Sequence, residues 1–99
     1  MILVATMTVR REAVEDFRAF ERRAAAIMSK YGGVIERSIV VDDGSTPIQE
    51  IHVVSFPDGQ AFAAYQADED LQRIAPLRER SVTQTVIVRG EAGPDYRPE

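Results

Sequence analysis

Six residues, Asp42-Asp43-Gly44-Ser45-Thr46-Pro47, constrain this chain more than any other stretch. Asp and Ser bond back to their own backbone, Gly accepts left-handed dihedrals, and Pro cannot extend a ladder. The run separates two strand-like segments, Val34 to Asp42 and Ile48 to Phe56, both rich in β-branched residues. A parallel pair needs a crossover of roughly a dozen residues or more. So short a connection therefore makes an antiparallel hairpin at the centre of the chain. If the hairpin is symmetric about the loop, Ser38 lies opposite His52 and Val40 opposite Glu50.

Each side of the hairpin carries one more strand and one helical region. Ile2 to Val9 alternates, with Leu3, Ala5, Met7 and Val9 on one face and Ile2, Val4, Thr6 and Thr8 on the other. That is a period of two, the signature of a strand. From about Arg11 to Tyr31 the period changes. Val14, Phe17, Phe20, Ala24, Ile27, Met28 and Tyr31 recur every three or four residues and build one apolar stripe. Glu15, Arg18, Glu21, Arg22 and Lys30 are expected on the outer face. Gly32-Gly33 ends the helix.

After the hairpin, Pro57 stops the strand and Asp58 is placed to cap a helix. Asp68, Glu69 and Asp70 mark a second helix start, since acids near an N-terminus complement the helix dipole. Pro76 is expected to kink or end that piece. Ser81 to Arg89 alternates again and makes the last strand. The domain is expected to span residues 1–90, with 91–99 as a tail rich in Gly and Pro.

The order β-α-β-β-α-β with right-handed crossovers gives an antiparallel four-stranded sheet, order 4-1-3-2, with helices on one face. This is the α+β, ferredoxin-like arrangement. Sorting the strands by apolarity assigns Leu3, Ala5, Met7, Val9, Ile35, Ile39, Ile51, Val53, Val82, Val86 and Val88 to the helices. The other face then holds Val4, Thr6, Thr8, Glu36, Ser38, Val40, Glu50, His52, Val54, Phe56, Thr83, Thr85 and Ile87. That mixture suits packing against the sheet of a second copy, so a homodimer through sheet faces is expected.

Composition narrows the function classes. A net charge of −4 and a single lysine argue against nucleic acid or an anionic membrane as partner. The chain has no cysteine. That removes thiolate chemistry and disulfides and points to a reducing compartment, the cytoplasm. MILVATMTVRR at the N-terminus lacks a signal-peptide pattern and is too short to span a bilayer. Glycine-rich phosphate loops and nucleophile elbows are absent, and a metal site would have to rest on His52 and carboxylates alone, so no cofactor or metal is expected.

Phe56-Pro57, Ala63-Ala64-Tyr65, Asp68-Glu69, Leu71, Ile74 and Leu77-Arg78, with the strand and helix before them, carry a family resemblance. Over about residues 2–90 the chain resembles the dimeric α+β-barrel superfamily, and within it a family of small bacterial proteins of unknown function. It departs from that family at Gln66-Ala67, where relatives often have a small hydroxylated residue, and at Leu71, where many have an aromatic one. The resemblance implies the dimer. It leaves function open among cofactor-independent monooxygenases, isomerases, haem-degrading enzymes and non-catalytic stress-related dimers.

His52, the lone histidine, is the candidate catalytic base. On the face assigned to it, it could equally be satisfied inside the dimer interface, and Glu50 stands too far along the strand for an assured hydrogen bond. The resemblance places Tyr65 and Arg78 near a helix–sheet cleft that would take a small aromatic or hydrophobic organic molecule. Alternatively, Tyr65 covers the core edge and Arg78 pairs with Asp68 or Glu69. Arg37 and Gln84 are further ligand-binding candidates, because alternation sets them on the apolar helix-facing surface; they could also reach water past the helix edge. With His52 on one side of the sheet and Tyr65 and Arg78 on the other, a single site using all three is not expected.

Overall fold

A computed structural model of the chain describes residues 1–45 and 47–99. Thr46, part of the Asp42–Pro47 run of the sequence, lies outside the described residues. The elements are β1 (Ile2–Val9), a 3-10 turn (Arg11–Ala13), α1 (Val14–Ser29), β2 (Val34–Val41), β3 (Ile48–Ser55), α2 (Gly59–Gln66), α3 (Glu69–Ser81) and β4 (Val82–Gly90). The strands form one antiparallel sheet in the order β2-β3-β1-β4. This is the ferredoxin-like α+β fold.

Local chemistry explains the boundaries. The first carboxylate cap holds: Asp58 accepts from the Ala61 amide at 2.8 Å. At the start of α3, Asp68 accepts from the Asp70 amide at 2.8 Å and the Leu71 amide at 3.4 Å. At the end of α1 the Gly33 amide donates to the Met28 carbonyl at 3.0 Å. Gly32 supplies the left-handed turn there, with φ 74°. A Cβ on Gly33 would strike the Met28 side chain and the Phe56 ring, so this spot demands glycine for space as well. Of the two outcomes expected at Pro76, a kink or an end, the end does not occur. α3 runs on to Ser81, because a missing proline amide orphans a single carbonyl, that of Gln72.

The hairpin register is the expected one, Ser38 opposite His52 and Val40 opposite Glu50. The assignment of faces is different. Directly paired residues share a face, and Leu3, Ala5 and Met7 pair with Val54, His52 and Glu50 on one side and with Arg89, Ile87 and Thr85 on the other. The helix-facing surface therefore includes Glu50, His52, Val54, Thr85 and Ile87. Ile51, Val53, Val86 and Val88 lie on the outer face, as do Arg37, opposite Val53, and Gln84, opposite Thr8. Register shifts between Ile35 and Arg37, and between Thr8 and Val9 against β4, change the parity along the edge strands. Arg37 and Gln84 thus point away from the helices, which corrects the placement expected from alternation.

Two apolar clusters fill the space under the helices. Leu3, Met28, Val54 and Phe56 form one, with Tyr31, Phe62 and Tyr65 against it. Met7, Val9 and Phe17 form the other, with Val14 and Val82 beside it. Between them, at mid-sheet, sit the paired residues Ala5 and His52. Alanine fills little of that space, and a cleft remains.

Candidate functional site

The cleft has a volume of about 410 Å³. Its floor is the sheet, with Leu3, Ala5, Met7, His52, Val54, Thr85 and Ile87; its walls come from Phe20, Glu21 and Met28 of α1, Phe62 and Tyr65 of α2, and Leu71, Ala75 and Arg78 of α3. A size of several hundred Å³, mostly apolar walls and a few convergent polar groups are the usual traits of a small-molecule site.

His52 is buried, at 5% exposure, in the centre of the floor. Its Nε2 lies 2.6 Å from Glu50 Oε2. Both side chains leave the same face of β3 two residues apart, and they lean together; the separation judged too long along the strand is closed by the side chains. With Glu50 ionised, and so able only to accept, a neutral His52 carries its proton on Nε2 and keeps the Nδ1 lone pair. Nδ1 faces Glu21 Oε2 at 3.7 Å, beyond hydrogen-bond length. The Phe17 ring flanks the imidazole, with centroids 6.5 Å apart.

Glu21 was expected on the outer face of its helix. It is instead a carboxylate on the inner flank of the apolar stripe, one turn after the fully buried Phe17. Burial is the main influence on it and pushes its pKa upward. The His52 and Arg78 charges pull the other way, while the Glu50 charge adds to the rise.

The α2 helix brings in Tyr65, whose ring packs 5.5 Å from that of Phe56. Burial pushes its phenol up to about 12, with the Glu21 charge adding to the rise and Arg78 opposing it. Tyr65 is therefore a hydrogen-bond donor across the neutral range. Arg78, from α3, donates to the Thr85 hydroxyl on β4. It does not pair with Asp68 or Glu69. Asp68 is occupied by the Tyr31 hydroxyl at 2.5 Å and Lys30 Nζ at 2.8 Å, a clasp that ties the end of α1 to the α2–α3 joint.

The fold thus gathers His52, Tyr65 and Arg78 around one cleft, adds Glu21 to its wall and Glu50 behind the imidazole, and leaves Arg37 and Gln84 on the far side of the sheet. The separation of His52 from Tyr65 and Arg78, expected from the strand alternation, does not occur. Glu21 could have been found in the sequence: it stands four residues after Phe17 and next to Phe20, inside the stripe rather than opposite it. Among the described residues, no group of three or more His, Asp or Glu side chains is arranged to hold a metal ion. No helix among the described residues is long and apolar enough to cross a membrane.

Comparison with known proteins agrees with this architecture. The model of one family, a domain of unknown function designated DUF1330, matches residues 2–91. No curated protein matches. Among solved structures, the chain is similar to the RPA0582 protein of unknown function from Rhodopseudomonas palustris, with a TM-score of 0.77, 14% identity, and coverage of 95% of this chain and 83% of that one. It is similar to SnoaB, a cofactor-independent oxygenase from Streptomyces nogalater, with a TM-score of 0.67, 17% identity and 93% coverage of both chains. An antibiotic biosynthesis monooxygenase gives a TM-score of 0.68 at 20% identity, covering 95% of this chain and 100% of that one. At these identities the similarity speaks to the fold.

Proposed function

The chain belongs to the DUF1330 family, a domain of unknown function, and we propose that its cleft binds a small aromatic or hydrophobic organic molecule carrying an acidic group, beside His52 as a general base. One observation carries this reading: His52, Tyr65 and Arg78 converge on a largely apolar cleft of about 410 Å³. Leu3, Met28, Val54 and Phe62 offer contact to a ring. Arg78 offers a fixed positive charge to a carboxylate or phenolate, and the Tyr65 hydroxyl offers a donor. His52 Nδ1, with its lone pair free, is the group able to take a proton from the ligand. Glu50, bonded to Nε2, holds the imidazole in that tautomer, the role an orienting carboxylate plays in a catalytic triad. The chemistry is cofactor-independent and of the proton-transfer kind that an isomerase or a cofactor-free oxygenase uses to form a carbanion. The fold shared with SnoaB is compatible with this, although fold alone does not carry function.

The chain acts as a homodimer in this reading. Val4, Ile39, Val41, Val86 and Val88 on the outer sheet face are between 38% and 58% exposed. A contiguous apolar sheet surface of this kind fits a second copy.

The experiment is a thermal-shift screen with small aromatic carboxylates and phenols. Stabilisation by one class, lost in Tyr65→Phe or Arg78→Ala, supports the site. Turnover of a stabilising compound, lost in His52→Ala, supports an enzyme, and binding without turnover favours a non-catalytic binding protein. Absence of any stabilising compound counts against the cleft as a ligand site.

A further inference from the structure

A second, shallow groove lies behind the cleft, between α1 and the β2–β3 hairpin. It is lined by Arg18, Glu21, Arg22, Ser38, Glu50 and His52. Glu21 and His52 line both the cleft and the groove, whereas Glu50 lines the groove alone. The wall between the two spaces is thus made of titratable side chains. Glu21 is the wettest of the three: its side chain is 18% exposed, against 6% for His52 and 10% for Glu50.

We infer that Glu21 is a proton shuttle, carrying protons between His52 in the cleft and water in the groove. This deepens the cleft reading given above and rests on it for the ligand's part. A ligand filling the cleft blocks water from the imidazole on that side, so a proton taken by His52 needs a second way out. The 3.7 Å gap from Nδ1 to Glu21 Oε2 closes to hydrogen-bond length with a modest side-chain rotation.

The step balances without redox change. The ligand's C–H or O–H bond breaks, its electron pair stays on the ligand, and the proton bonds to Nδ1. The new N–H bond then breaks toward Glu21 Oε2, giving a neutral carboxyl group, which releases the proton to groove water. The imidazole returns to its starting tautomer, with Nε2–H still bonded to Glu50. The charged and titratable groups around this path are Glu50 from β3, Arg18 and Arg22 from α1, Tyr65 from α2 and Arg78 from α3.

The test needs no ligand. In the full chain with ¹⁵N-labelled histidine, NMR reads the tautomer of His52 and the exchange of its ring N–H with water. Once Glu21 delivers a proton to Nδ1, the imidazolium can lose its Nε2 proton through Glu50 to groove water, so the exchange reads delivery to Nδ1. The expected result is the Nε2–H tautomer, with exchange slowed about tenfold or more in Glu21→Gln. Two groove-blocking variants, Ser38→Phe and Val40→Phe, are expected to slow it as well. Both positions are exposed on β2, so either one suffices if the other fails to fold. Arg73→Gln, exposed on α3, is the control. An Nδ1–H tautomer overturns the inference, and so does exchange in Glu21→Gln or a folded groove variant within twofold of the wild type. Failure of the thermal-shift screen with normal relay behaviour would instead count against the ligand reading alone.

Discussion

Replacing His52 by leucine is expected to destabilise the protein by about 3 kcal/mol, and replacing Glu50 as well is expected to restore most of it. The magnitude follows from the burial of both groups, at 5% and 8% exposure, and from their 2.6 Å bond. Leucine keeps most of the volume of the imidazole but removes the donor. Glu50 then keeps no side-chain hydrogen-bond partner among the described residues, while the Glu21 carboxylate remains nearby. Stranding one member of a buried charged pair costs roughly 3–5 kcal/mol, and an unsatisfied neutral group about 1–3. Partial solvent access at Glu50 places the value near the lower end of the charged range. With an unfolding entropy of roughly 0.2 kcal/mol/K for a chain of this length, 3 kcal/mol lowers Tm by about 15 °C. In His52→Leu/Glu50→Leu no orphaned carboxylate remains on β3, and stability is expected within about 1 kcal/mol of the wild type. Urea unfolding of the four proteins at pH 7.5 gives the coupling energy directly. A single-variant cost below about 1 kcal/mol, or costs that simply add, would refute the picture of a desolvated, coupled pair.

Other outcomes test the frame around the cleft. Gly33→Ala is expected to cost about 1–3 kcal/mol by overpacking against Met28 and Phe56, read by urea denaturation. Val86→Asp, on the exposed outer face, is expected to convert a dimer into a monomer in light scattering without loss of helix content; an unchanged mass would count against the sheet-face dimer. Lys30 and Tyr31 hold the Asp68 carboxyl well below its ordinary range. The unfolded chain therefore binds this proton first as pH falls, and the clasp's stabilisation, complete at neutral pH, is lost below the usual carboxylate range. Asp68→Asn should lower Tm at pH 7 and flatten its fall toward pH 3 in a calorimetric series. Glu21 has the opposite sign, because its raised pKa means that the charged form is disfavoured in the folded state. Glu21→Gln should raise Tm at pH 8, and the gain should vanish as pH falls below the unfolded value of about 4.5.

The antiparallel hairpin, the Asp58 cap and the second helix start at Asp68 were legible because each rests on local chemistry: turn residues, amide geometry and helix-start acids; the strand order followed from the handedness of the crossovers. The pairing of Ser38 with His52 was legible from the loop length alone. The phase of the sheet was not. β3 carries Ile51 and Val53 on one side and Ile48, Val54 and Phe56 on the other, with Glu50 and His52 among the latter. Apolarity favoured the wrong side, because the outer face is itself apolar and the inner face carries the polar site. The bulge near Glu36 then turned Arg37 outward, and the irregularity opposite Thr8 and Val9 did the same for Gln84. Neither bulge has a glycine or proline to announce it. His52 was singled out for its chemistry and set on the wrong face, whereas Glu21 was missed because its charge outweighed its place in the stripe. A half-buried carboxylate within an apolar stripe is a functional clue that periodicity treats as noise.

The parity of the strands also supplies the most direct test of the cleft. Titration of the ¹⁵N-labelled protein with 1-naphthoate, followed through backbone amides, compares neighbours on opposite faces of the same strands. Saturable shifts are expected at Ala5, His52, Val54 and Thr85, with much smaller changes at Thr6, Val53 and Val86, and the response should weaken about tenfold or more in Arg78→Ala. Shifts centred on Thr6, Val53 and Val86, or no saturable response from this or any other small aromatic acid, would contradict a ligand site built around His52.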